Sequence, residues 1–147
     1  MVAEKEKGHN NAPDKRLAKA FNFTSEDLAA NRLGFITSDQ EFNTPLWQRR
    51  FFRQLGAMFN FKSGKQRLRV GKRCGRVEVN HKVRPLYDSM RRSITHMIDD
   101  YSLNIKDKRF KINVAQYHAL NNRVFYIVYY DTSNNRIVAL ERVPNDC

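Results

Sequence analysis

At 147 residues the chain can bury one hydrophobic core but not two cores joined by a linker. Its 27 Lys and Arg against 15 Asp and Glu give a formal charge of +12 and a pI near 10.0, the profile of a protein that meets phosphate on nucleic acid or on an anionic lipid surface. Two cysteines, one of them the final residue, do not make a disulfide scaffold and point to a reducing compartment. No run approaches the ~20 apolar residues of a membrane-spanning helix.

In chain order, residues 1–20 are polar, lack the apolar stretch of a secretory signal, and read as a disordered basic and polar tail. A helical segment over 21–60 follows. Thr24 caps a helix through TSEDLAANRLG, with Gly34 as its left-handed end. Ser38 and Glu41 have capping-box spacing and predict a second turn packed back through Phe35, Ile36 and Phe42. Pro45 opens a third helix in which Trp47, Phe51, Leu55 and Met58 share one face, Phe52 and Phe59 widen it, and Arg49, Arg50 and Arg53 flank it.

Residues 61–75, rich in glycine and charge, read as a basic linker, and 76–147 as a small α+β domain. Within that domain RVEVNHKV alternates as a half-buried strand. PLYDSMRRSITHMIDD places Leu86, Met90, Ile94, Met97 and Ile98 at helical spacing and predicts a helix begun by Pro85. YSLNIKDKRFKINV reads as a hairpin, VAQYHAL as a helical turn, RVFYIVYY as a central strand and RIVALERV as the last one. The fold class expected is α+β: N-terminal short helices, then a small, mostly antiparallel sheet or partly open barrel of about five strands with one or two packed helices.

Charge is concentrated. Residues 49–92 hold 14 of the 27 basic residues and only Glu78 and Asp88 of the acids, so the remainder is electrically balanced. Catalytic and metal signals are weak by comparison. GKRCGR around Cys74 lacks the spacing of a phosphate loop. His81, His96, His118 and Cys74 have no short-range ligand spacing, and the adjacent Asp99 and Asp100 face different directions on a helix. Tyr126, Tyr129 and Tyr130 have the chemistry of a base-stacking platform but are also ordinary strand formers. No enzyme, cofactor or metal is expected.

LAANRLGFITSDQ at 28–40, GRVEVNHKV at 75–83 and the run from Tyr101 to Val143 together resemble a group of uncharacterised bacterial membrane proteins. Those carry an ANR-x-G-x-(I/L)-(S/T)-x-x-Q helical turn, a transmembrane helical hairpin and a small C-terminal β-domain. Residues 45–70 stand where that group places its hairpin and contain no apolar span. The resemblance brings no activity with it.

The function expected is a non-enzymatic basic interaction module on an anionic membrane surface or a membrane protein, in a cytoplasmic, membrane-peripheral chain that is not secreted. Its contacts would be Trp47, Arg49, Arg50, Phe51, Phe52, Arg53, Lys62, Lys65, Arg67, Arg69, Lys72, Arg73 and Arg76. The alternative is nucleic-acid or ribonucleoprotein binding through the basic segment 49–92.

Overall fold

The computed structural model describes residues 13–49 and 67–147. Three short helices lead: α1 (Lys15–Phe21), α2 (Ser25–Arg32) and α3 (Ser38–Glu41), with strand β1 (Phe35–Ile36) between the last two. A helical turn over 46–49 follows. Then come β2 (Arg67–Leu68), β3 (Val70–Asp88), β4 (Ser93–Ile105), β5 (Lys108–Ile112), α4 (Val114–Ala119), β6 (Phe125–Asp131) and β7 (Arg136–Arg142). β1 and β2 pair with each other, and the main sheet is antiparallel in the order β5-β4-β3-β6-β7. This is the α+β class read from the sequence.

Each helix is started by its own side chains. Asp14 accepts from the Arg16 N–H at the head of α1, and reciprocal capping boxes join Thr24 to Asp27, Thr37 to Gln40 and Asn113 to Gln116. The second box lies one residue before the predicted Ser38–Glu41 pair. α1 is itself a correction to the expected tail: Leu17 and Phe21, one turn apart, are both buried in the core, so order begins well before residue 20.

The ANR-x-G-x-I-T-x-x-Q string is a folding device. The Asn31 and Gln40 side chains exchange two hydrogen bonds of 2.7 Å in the interior, and Gln40 also donates to the Val138 carbonyl. Arg32 makes a bidentate pair with Glu141 at 3.0 Å, Thr37 caps α3, and Gly34 takes φ +94°, a left-handed turn that a Cβ would strain. Asn31 and Thr37 thus join α2 to α3, and Arg32 and Gln40 hold the pair against β7.

Residues 70–75 lie inside a strand, not in a linker. Val70–Arg76 pairs with Asp131–Phe125 along β6, and the glycines serve packing: a Cβ on Gly71 would overlap the Tyr130 ring. The opposite half of β3 corrects the helix predicted from Pro85. Val77 to Asp88 pairs with Ile105 to Ser93 of β4, with a bulge at Leu86/Tyr87. Asp88 turns the chain by accepting from the Met90 and Arg91 N–H groups. Spacings of three and four satisfied a helix, but long-range pairing with β4 overrides them. Pro85 is tolerated because both strands of this ribbon are edges, where a missing N–H need not break a ladder.

The core fills the concave face of the sheet with Val77, Leu103, Ile105, Phe110, Tyr126, Val128 and Leu140, all nearly inaccessible. The sheet is open but curled, as Lys108 of β5 donates to Asn135 in the β6–β7 turn at 2.8 Å and Phe110 meets Tyr130 with ring centroids 5.2 Å apart. Cys74 and Cys147 form a disulfide with their Cα atoms 6.0 Å apart, which ties the C-terminus to β3. The sequence had pointed to free thiols; a separation of 73 residues carries no pairing signal.

Candidate functional site

Cross-strand partners in an antiparallel sheet share a face, so the register shows where each basic residue points. On the outer face of β3, Lys72, Cys74, Arg76, Glu78, Asn80, Lys82 and Arg84 follow one another, with Cys147 bonded to Cys74 between the first two cations. Arg109 stands opposite Asn104 and Lys111 opposite Ser102, extending the same face onto β5. Lys72, Arg76, Lys82, Arg109 and Lys111 are all exposed. Among the described residues none of the five is in an ion pair, whereas Arg84 is held by Asp100 at 2.7 Å. Glu78 is the one acid of β3 within the group, and Asp100 of β4 stands opposite Lys82. Arg76 lies over the Phe125 ring at 5.6 Å, a cation–π contact that supports the guanidinium at the surface.

At β6 and β7 the same face is covered: Tyr129 stands opposite Lys72 and Ala139, and Glu141 opposite Ile127. α2 packs over β7, where Arg32 reaches Glu141 and Glu141 accepts from the Tyr129 hydroxyl at 2.8 Å. Burial first, and then the Glu141 carboxylate, push the Tyr129 phenol well above its ordinary value. Tyr126, Tyr129 and Tyr130 are therefore core residues, all buried, and offer no stacking platform.

The predicted contact residues divide sharply. Arg50, Phe51, Phe52, Arg53, Lys62 and Lys65 lie outside the described residues, as do Leu55, Met58 and Phe59 of the predicted apolar face. Trp47 is exposed. Arg49 is a correction: it is buried, bonded to Asp27, and donates to the Asn22 and Thr44 carbonyls at 2.8 and 2.9 Å, so it faces the protein interior. Arg69 is another, since it grips Asp131 at 2.9 Å and Glu41 at 3.2 Å and pins the start of β3. Burial alone would raise the Asp131 carboxyl, but the Arg69 guanidinium and the Ser133 donors outweigh it and hold the group below its ordinary value. Arg67 lies in β2, paired with Ile36. Arg73 points to the other face of β3, over the Tyr130 ring and toward Asp107 at 3.4 Å.

Lys72 and Arg76 thus remain as surface cations, and the structure adds Lys82, Arg109 and Lys111. The last two were hidden because they stand far from the charge-rich segment in sequence. Alternation within RFKI was a usable signal: with Phe110 and Ile112 inside, Arg109 and Lys111 must point out.

A second feature was absent from the sequence reading. Beyond His81 and Tyr101, which stack at 4.4 Å, β3 and β4 have no other strand beside them among the described residues and project as a two-stranded arm. A cleft of about 760 Å³ lies elsewhere, between α1, the α3 turn and β7, with Lys15, Lys19, Trp47 and Arg136 in its wall. Among the described residues no group of three His, Cys, Asp or Glu could hold a metal ion, and no helix is long and apolar enough to cross a membrane.

Fold and surface together define a small α+β protein with a curled antiparallel sheet, a basic outer face and a projecting arm. No protein-family model, curated protein or solved structure matches the chain.

Proposed function

We propose that this chain is a non-enzymatic module that binds nucleic acid through the outer face of β3, β4 and β5. One observation carries the reading: Lys72, Arg76, Lys82, Arg109 and Lys111 share an exposed face whose acids on β3 and β4 are Glu78 and Asp100, the latter paired with Arg84. Three of these cations run along β3 at intervals of about 13 and 20 Å, and the β5 pair lies roughly 10 Å to the side. An extended row of this kind suits a polymer of phosphates better than a single small anion. Presented together on one face, the five side chains would release condensed counterions on binding, which makes affinity steeply salt-dependent. Phosphate contacts alone imply weak sequence preference.

The membrane reading has less to stand on. It relied on a basic amphipathic helix over 45–60, and within the described part of that segment Arg49 is turned to Asp27, leaving Trp47 as the exposed member.

Filter binding to labelled single-stranded and duplex DNA and RNA, beside flotation with phosphatidylserine-containing vesicles, tests the assignment at 50 and 200 mM salt. Five phosphate contacts predict nucleic-acid binding that falls by roughly 10²- to 10³-fold between those conditions. R109A/K111A should weaken it at low salt while leaving the far-UV circular dichroism unchanged. Vesicle binding that survives high salt, without nucleic-acid binding, would overturn the proposal in favour of lipid.

A further inference from the structure

The arm from Lys82↔Asp100 to Asp88↔Ser93 extends about 20 Å past the rest of the sheet. A lone two-stranded ribbon is marginal in water, because one layer of side chains has nothing to pack on. Here that layer is mostly apolar, with Asp99 opposite Val83 as its one acid. Val83, Pro85, Tyr87, Ile94 and Met97 fall on the face that continues the core, since Pro85 pairs with Met97 and Tyr87 with Ile94 beyond the bulge. Val83 is 51% exposed, Tyr87 and Ile94 60%, Met97 61%, and Met90 at the tip 94%. The stripe begins at the buried Val77 and runs through the stacked His81 and Tyr101, so among the described residues the core leaves the body along the arm uncovered.

Charge narrows the choice of what covers it. Residues 81–100 carry Lys82, Arg84, Arg91 and Arg92 against Asp88, Asp99 and Asp100, nearly balanced within a chain of +12. Most of that charge is satisfied internally: Arg84 with Asp100 at 2.7 Å, His81 with Asp99 at 2.8 Å and Arg91 with Asp88 at 3.7 Å. A surface meant for phosphate or anionic lipid would carry free cations, as the outer face does. A near-neutral apolar face is instead the place where two copies of so basic a chain repel each other least.

We infer that this face of the arm is a homodimer interface, in which the arms of two copies pack apolar face to apolar face about a two-fold axis. At roughly 100 Å² for each of the six side chains, one arm contributes on the order of 600 Å² and a pair about 1,200 Å², which reaches the size of a specific interface. A two-fold contact uses the same patch on both partners, and a ribbon stacked on its own copy becomes a two-layer sheet with a dry interior. Packed this way, the basic outer faces of both copies stay open. The inference stands whether or not those faces bind nucleic acid.

Sedimentation velocity on nuclease-treated full-length protein, from 1 to 200 µM, tests it. The wild type should sediment as a dimer of the 17.4 kDa chain at the upper concentrations. I94S/M97S should raise the dimer dissociation constant by at least about 100-fold with the far-UV signal unchanged. H96A, on the opposite face of the arm, should leave it within threefold. Should the double variant lose its β signal, the single change M97K supplies the same comparison. A wild type that stays monomeric at 200 µM, or a folded arm-face variant that dimerises as well as wild type, overturns the inference.

Discussion

β3 belongs to two regions that differ in almost everything except their backbone. From Val70 to His81 it lies within the sheet, with Val77 inaccessible and Arg69 anchored to Asp131 and Glu41 at its head. From Lys82 to Asp88 it has β4 alone, and its residues are almost all exposed. Stability in the first region comes from burial and from polar groups locked in pairs. In the second it comes from one ladder of hydrogen bonds and a turn. The same strand therefore serves as scaffold at one end and as an offered surface at the other, and substitutions in the two halves should behave differently.

Removing Arg49 should have the largest effect, because it leaves the Asp27 carboxylate buried and unpaired. R49M is expected to cost about 3–5 kcal/mol in urea unfolding, as expected for one half of a buried ion pair. A loss below about 1 kcal/mol would show that Arg49 is not part of the scaffold. Next comes G71V, which drives a side chain into the Tyr130 ring and should cost about 1–3 kcal/mol by overpacking.

Acid should loosen the scaffold. Asp131 titrates below its ordinary value in the folded state, so its contribution is complete above the unfolded carboxyl pKa near 4 and disappears as pH falls through the lower folded value. The urea midpoint should drop across that window, and D131N should flatten the drop. The smallest effect belongs to M90S at the arm tip, which should change monomer stability by no more than about 0.5 kcal/mol. A cost comparable to that of G71V would mean the arm is folded into the core after all.

The division between the regions follows what could be read in the sequence. Alternation in RVEV and RFKI was legible because a half-buried strand in a sheet imposes period two, and the run around Tyr126 to Tyr130 was legible as a central strand because it is apolar on both faces. The cap of α2 was legible because Thr24 acts within four residues. The arm was misread as a helix: Leu86, Met90, Ile94 and Met97 are uncovered, so no core face enforces a period, and their spacing fits a helix by itself. For the site, Lys72 and Arg76 stood in the charge-rich segment, whereas Arg109 and Lys111 reach them only through the β3-β4-β5 register. Arg49 and Arg69 looked like surface charge because their partners Asp27 and Asp131 lie 22 and 62 residues away.

The central claim, that the outer face of β3, β4 and β5 meets a phosphate backbone, is tested most directly by the slope of log Kobs against log salt for duplex DNA. Wild type is compared with K82A/R109A/K111A. Three lost phosphate contacts predict a slope shallower by about 2.7, at about 0.9 per contact. Equal slopes for the two folded proteins would contradict it.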